Sequence, residues 1–319
     1  MLAFSVLGGG QRLTMRARAK VNLGLEVLDR RPDGYHEILT VLWAIDLADR
    51  VTLETTIGGA GGISLTCDAP GVPSTPDNLA WRAADLLCRA TGVAAGVSIR
   101  IVKAIPVAAG LGGGSADAAA VLVGLDRLWG LGLGPRRLGE LATELGMDVP
   151  FFLREGGEGP ALASGRGEQV EEAPVARRLW LVLVNPGFPL ATRDVYRAVR
   201  REHFGSGARV RALLEALHEG PSVVAARLWN GLEPVVAGLW PGLEAVKTAL
   251  RQAGALGAVM SGSGPTVVGV ARSRQAAEAM RDALGGHSWN VWVTRTVSGP
   301  PLSLVGRTSR APRWGVAKR

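Results

Sequence analysis

Apolar and polar side chains alternate along residues 15–28 (MRARAKVNLGLEVL), the two-residue period of a strand with one buried face. The turn RRPDG follows at 30–34, and strand character resumes over 38–55 around Val41, Trp43, Ile45, Val51 and Leu53. Gly58–Gly62 reads as a hairpin or loop, Ile63–Cys67 as another strand, and Ala69–Pro76 as a Pro/Gly-rich loop. Asp77-Asn78 caps a helix over 79–91, since a short polar side chain there can accept from the first free amides. A strand over 97–102, a glycine-rich junction and an alanine-rich helix over 116–129 come next. Pro135 then opens a helix over 135–145, its fixed φ suiting a first turn.

Residues 156–169 are Gly-rich and loop-like, and strand-like Leu179–Val184 ends at the turn Asn185-Pro186-Gly187. Helices are expected over 192–202, 208–218, 221–230, 232–237 and 240–253. Ala258–Met260 leads into a second glycine turn, SGSGP at 261–265, followed by a strand over 266–271, a helix over 273–284 and a strand over 289–297. The shift in pattern places a domain boundary near 170–185, giving two α+β halves, 15–170 and 171–298. Strands and helices alternate too irregularly for a doubly wound sheet, so antiparallel or mixed sheets backed by helices on one side are expected. Met15 directly precedes the first strand, so residues 1–14 read as a disordered extension, and 299–319 as a basic tail.

Composition narrows the class. The chain has 319 residues, 47% of them hydrophobic, which suits a globular protein of one large or two ordinary domains. Cys67 and Cys88 stand in unrelated contexts with neither disulfide nor zinc spacing, which points to a reducing cytoplasm. No apolar run reaches the roughly 20 residues of a membrane span, and the N-terminus lacks the basic start of a signal peptide. Of the formal charge of +8, five positive charges lie in the last nineteen residues at Arg307, Arg310, Arg313, Lys318 and Arg319. The excess is therefore largely a tail; neither a nucleic-acid nor a membrane partner is expected, and the state is taken as monomer or weak homodimer.

The densest chemical signal is PVAAGLGGGSADAAA, from Pro106 through Val107, Ala108, Ala109, Gly110, Leu111, Gly112, Gly113, Gly114, Ser115 and Ala116. Four glycines within five positions, between a strand and a helix, let backbone amides close around an anion, and the helix adds its own free amides and dipole. This is a phosphate cradle. It is not a P-loop, since no lysine follows the last glycine, and not a dinucleotide fingerprint, since Ser115 stands at the third glycine position. The other chemical candidate is GMDVPFF, where Asp148 sits among Met147, Val149 and Phe151, surroundings expected to desolvate it partly and favour proton acceptance.

Three stretches in order, AKVNL at 19–23, the glycine junction, and SGSGPT at 261–266, resemble the GHMP small-molecule kinases. The features AKVNLGLEVLDRRPDGYHEI, PDNL at 76–79, GLGGGSADAA and GMDVPFFL make the likeness strongest to the branch of the non-mevalonate isoprenoid pathway that acts on a cytidyl diphosphate alcohol. The resemblance spans about residues 15–297 and implies a two-domain α+β fold, the first half like ribosomal protein S5 domain 2 and the second ferredoxin-like. It implies transfer of the γ-phosphate of ATP to the 2-hydroxyl of the cytidyl diphosphate methylerythritol, with a homoserine- or mevalonate-type substrate as the alternative.

By that resemblance Asp148 is the general base and Lys20 its neighbour, holding the substrate hydroxyl and steadying charge; without it, Lys20 reads as a surface lysine on a strand. Asn22 shares the face of Lys20 and is expected to touch substrate or fix the loop. Tyr35 and His36 are assigned to the cytosine, with Tyr196 facing Tyr35 across the base and Thr192 nearby. Residues 106–116 hold ATP; Asn78 either caps its helix or contacts the adenine side. Gly262 and Gly264 let the second half approach closely. Magnesium is implied by the chemistry, with no dedicated protein ligands, and the role of Asp117 is left open. A rival reading, a nucleic-acid binder using the basic tail, predicts steeply salt-dependent RNA affinity.

Overall fold

Two long strands, β1 (Gln11–Arg30) and β2 (His36–Thr56), run antiparallel through both halves of the molecule. The turn between them is tied by the Tyr35 amide, which donates to Asp33 Oδ1 at 3.1 Å. The computed structural model describes residues 11–56, 62–94, 96–154, 159–174 and 176–309. The expected loop at 58–61, residues 1–10 of the extension and 310–319 of the tail lie outside them.

After β2 come β3 (Ile63–Cys67), α1 (Leu79–Thr91), β4 (Gly96–Val102), α2 (Gly113–Trp129), α3 (Gly134–Leu145) and the short α4 (Val149–Phe152). A hairpin, β5 (Ala161–Ser164) and β6 (Gln169–Glu172), lies within and just beyond the stretch read as loop-like, and β5 pairs with β2. Its strands are only four residues each, too short to register as a period. The second half runs β7 (Trp180–Asn185), α5 (Thr192–Ala198), α6 (Ala208–Ala216), α7 (Pro221–Ala226), β8 (Trp229–Asn230), α8 (Glu233–Leu239), α9 (Gly242–Gln252), β9 (Gly257–Met260), β10 (Val267–Ala271), α10 (Arg274–Ala283) and β11 (Asn290–Arg295). The chain then returns to the first half as β12 (Leu302–Ser309).

Among the described residues the large sheet has the order β12-β1-β2-β4-β3, and the smaller one β11-β7-β10-β9. Two readings of the chain ends are corrected here. Residues 11–14 are not disordered: they open β1, with Leu13 buried in the core. Residues 302–309 are not tail: they form the edge strand beside β1, with Gln11 opposite Ser309. Charge near the terminus obscured a short alternating run. The helix expected over 221–230 also stops early, because Trp229 and Asn230 extend to pair with Gly24 and Leu25 of β1. That over 192–202 ends at Ala198 and gives way to a single 3₁₀ turn at 201–203.

Helices α1 and α2 cover one face of the large sheet through Leu13, Met15, Ala17, Val51, Leu53, Ile99 and Ile101. The β1–β2 register slips between Arg18 and Lys20. A slip exchanges the two faces of a strand. Beyond it Ala19, Val21 and Leu23 pack against the second sheet and α6, so helices do not lie on one side only. The same exchange turns Lys20 and Asn22 toward the glycine junction.

Candidate active site

The junction between β4 and α2 is built from left-handed backbone. Ala108, Gly110 and Gly112 have φ of 52°, 74° and 71°. Gly113, Gly114 and Ser115 are already the first turn of α2, which starts three residues earlier than expected, so their amides lack intrahelical acceptors and stand with the positive end of the dipole at the cleft. A Cβ on Gly110 would lie 2.6 Å from the Ser261 carbonyl oxygen, and one on Gly262 3.2 Å from Asn22 Oδ1. The two glycine turns, one from each half, therefore touch, and Ser261 Oγ donates to the Gly110 carbonyl at 3.1 Å.

Lys20 sits where they meet and is 3% exposed. Its Nζ donates to Asn22 Oδ1 at 2.7 Å and to the Gly110 carbonyl at 3.1 Å, and lies 3.5 Å from Asp148 Oδ2. Asp148 precedes α4 but makes no side-chain cap bond, so its carboxylate is not engaged in holding the turn. Its side chain is 40% exposed, the partial desolvation its neighbours implied. Val149, Phe151 and Phe152 carry their own side chains into the core and leave Asp148 on the cleft wall.

The cleft is one cavity of about 990 Å³ that continues from the glycine junction past Lys20 and Asp148 to Tyr35, His36, Thr192 and Tyr196. His36 and Tyr196 have ring centroids 5.5 Å apart. Tyr196 thus packs on His36, whereas Tyr35, half exposed, lies under the Arg166 guanidinium at 5.2 Å; all three rings line the same cavity. Burial, with Arg30 nearby, lowers the His36 pKa, and its buried Nε2 has no partner. Burial followed by the charge of Asp148 raises that of the Tyr196 phenol. Thr192 Oγ1 is 2.8 Å from Ser263 Oγ of the second glycine turn.

One assigned position needs correction, and at another the cap reading is met. Ala116 does not face the cleft: its methyl is in the core and its amide donates to the Gly112 carbonyl at 2.9 Å. Asn78 does cap α1, accepting from the Ala80 amide at 2.9 Å while its Nδ2 donates to the Pro73 carbonyl at 2.9 Å; it lines the cavity with both amide ends occupied.

The sequence reading missed a buried ionic cluster beneath the junction. Lys103 Nζ bonds Asp49 Oδ2 and, at 2.9 Å, Asp117 Oδ2. Asp49 is fully buried and also accepts from the Ala104 and Ile105 amides at 2.7 and 2.9 Å. Burial, with the adjacent Asp49 carboxylate and against the pull of Lys103, pushes Asp117 up to about 7. The available signal was a single acid in the second turn of an otherwise all-alanine stretch. Among the described residues no group of three or more His, Cys, Asp or Glu side chains could hold a metal ion.

The description "GHMP kinases N terminal domain" matches residues 78–156, and "GHMP kinases C terminal" matches 197–289. A 4-diphosphocytidyl-2-C-methyl-D-erythritol kinase of Pelotomaculum thermopropionicum is 47% identical over 285 residues, covering 89% of this chain and 98% of that protein. The chain belongs to the 4-diphosphocytidyl-2-C-methyl-D-erythritol kinase family of GHMP kinases. A crystal structure of 4-(cytidine 5'-diphospho)-2C-methyl-D-erythritol kinase superposes on this GHMP kinase with a TM-score of 0.76 at 39% identity, covering 90% of this chain and all of the other. The homoserine kinase of Cytophaga hutchinsonii shares the fold, TM-score 0.73, at 22% identity. The expected two-domain α+β GHMP fold is the one observed. The kinase is a phosphotransferase with an alcohol acceptor.

Proposed function

We propose that this kinase transfers the γ-phosphate of ATP to the 2-hydroxyl of 4-diphosphocytidyl-2-C-methyl-D-erythritol, a step of the non-mevalonate route to isoprenoid precursors. The observation that carries it is a single cleft with the free amides of α2 at one end, the His36–Tyr196 ring pair at the other, and Lys20 beside Asp148 between them. A homoserine- or mevalonate-type substrate would leave the aromatic end unused.

In this reading the amides of Gly112–Ser115 receive the triphosphate, where positive dipole and unpaired N–H groups favour anionic oxygens. Tyr35, His36 and Tyr196 receive the cytosine, the tyrosine rings meeting its faces and the neutral imidazole offering a donor or acceptor to the base edge. The Asp148 carboxylate accepts the hydroxyl proton as the alcohol oxygen attacks the γ-phosphorus and the bond to ADP breaks. Lys20 donates to the alcohol oxygen and offsets charge at the transferring group. Magnesium, when bound with the nucleotide, would neutralise phosphate charge; calorimetry of ATP binding with and without the ion tests this.

We take the kinase to be a cytoplasmic monomer or weak homodimer; no helix among the described residues is long and apolar enough to cross a membrane, and sedimentation of the purified protein tests the oligomeric state. Purified protein with ATP, magnesium and the cytidyl alcohol is expected to release ADP and a phosphomonoester visible by ³¹P NMR, with homoserine and mevalonate inert. ADP release on either of those, but not on the cytidyl alcohol, rejects the assignment.

A further inference from the structure

We propose that Thr40 is a positioning residue whose hydroxyl fixes the amide of Asn22, so that the Asn22 carbonyl oxygen, and not its NH₂ group, holds the Lys20 ammonium. This rests on the reading of Lys20 and Asp148 as the reacting pair.

Thr40 lies on β2, 2% exposed. Its Oγ1 is 2.7 Å from the Gly24 carbonyl oxygen and 2.8 Å from Asn22 Nδ2. A carbonyl can only accept, so the single hydroxyl proton of Thr40 is committed to Gly24. What remains for Asn22 is a lone pair, and only the NH₂ end of an amide can use it. The opposite end of the same planar group, Oδ1, is thereby aimed at Lys20 Nζ, 2.7 Å away. With the amide reversed, a carbonyl oxygen would meet a committed hydroxyl lone pair and an NH₂ would meet an ammonium. Asn22 is 4% exposed and Lys20 3%, so water has little access to relieve either mismatch. The β1–β2 register slips between Asn22 and Gly24, where this contact is made, and such a slip re-aims backbone and side chains locally.

An ammonium has three donors. Asn22 Oδ1 and the Gly110 carbonyl take two, and the third is left for the side of the cleft where Asp148 Oδ2 stands at 3.5 Å. Thr40 lines the inner wall of that cleft, but its proton and one lone pair are engaged within the protein and its side chain is buried, so it acts on the reaction through Asn22 and Lys20.

Thr40→Val keeps the shape and removes the hydroxyl. We expect kcat to fall about 10- to 100-fold while KM for ATP and for the alcohol stay within about threefold, and Thr40→Ser to restore turnover to within about threefold of the parent. In an Asn22→Ala background the valine change is expected to add nothing, since the group it orients is gone. The Asn22 side-chain amide, assigned by its loss in Asn22→Ala, supplies a readout independent of turnover. Its NH₂ protons are expected to be protected from exchange in the parent and in Thr40→Ser, and to lose protection in Thr40→Val. A folded Thr40→Val with parental kcat, a loss that multiplies with Asn22→Ala, or unchanged amide protection overturns the proposal. If Thr40→Val and Thr40→Ala both fail to fold while Thr40→Ser folds, the hydroxyl serves the fold and the proposal is likewise overturned. Absent parental turnover counts against the function assigned above, and the amide readout still decides Thr40.

Discussion

The proposed reacting pair joins two side chains in opposite surroundings. Lys20 is locked below the surface by two acceptors, while Asp148 stands on the cleft wall with no hydrogen bond to its own turn. That asymmetry suits a fixed charge beside a carboxylate that must take a proton. Asp148→Asn keeps shape and removes the acceptor: kcat is expected to fall about 10³-fold, with the ATP dissociation constant, measured calorimetrically, within about twofold. Parental turnover would remove Asp148 from the mechanism. Neither residue's role was legible from local pattern. A lysine on an alternating strand looks like a surface residue, and nothing in the alternation announces the slip between Arg18 and Lys20 that turns it inward. The resemblance supplied the pair and the structure brings it together. Asp117 makes a separate prediction. Its folded pKa, raised to about 7, exceeds the value of 3.8 it has when unfolded, so between those values the folded state holds the extra proton. Stability attributable to this group therefore falls as pH rises toward about 7 and is level above it. Urea unfolding between pH 5 and 8 should show that decline in the parent and a flatter profile in Asp117→Asn; identical profiles would mean the group carries no such linkage.

At the level of elements, the glycine junction is held at both ends. Asp49 bonds the Ala104 and Ile105 amides just before it, and Lys103 ties Asp49 to Asp117 just after it, so one ammonium clips the entry of the loop to its exit. From above, Ser261 and Lys20 grip the Gly110 carbonyl. A Cβ at Gly110 would adopt an unfavourable φ and press on the Ser261 carbonyl. Gly110→Ala is expected to cost about 2 kcal/mol or more in chemical unfolding and to raise KM for ATP; an unchanged midpoint would show that the two turns can part without loss. The strand–turn–helix sense of this region was readable because glycines and alanines stand in unbroken order. The clip was not, because Asp49 and Lys103 sit in different strand segments and only the pairing of β2 with β4 brings them side by side.

At the scale of the whole molecule, the two sheets share no strand among the described residues but pack together, Ala19, Val21 and Leu23 of β1 lying against Leu181, Leu183, Val268 and Val270 of the second sheet. The boundary expected near 170–185 marks where the second sheet begins, yet β8 and β12 cross back to pair with β1. Deleting residues 301–319 therefore removes an edge strand together with the charges beyond it. The truncated protein is expected to lose about 2 kcal/mol or more, since Leu302 leaves the core and the outer edge of β1 is bared; thermal unfolding measures this, and an unaltered midpoint would make β12 dispensable. The same deletion cannot by itself test the rival nucleic-acid reading, whereas replacing Arg310 and Arg313 leaves β12 in place. The alternation Leu302, Leu304 was visible in the chain but was outweighed by the charges after it. Placing Gln11 opposite Ser309 also bears on biosynthesis. Among the described strands β1 is made first and gains its outer neighbour from the last, so that flank of the nascent protein stays unpaired, and open to chaperones or to another growing chain, until every strand between them has been synthesised.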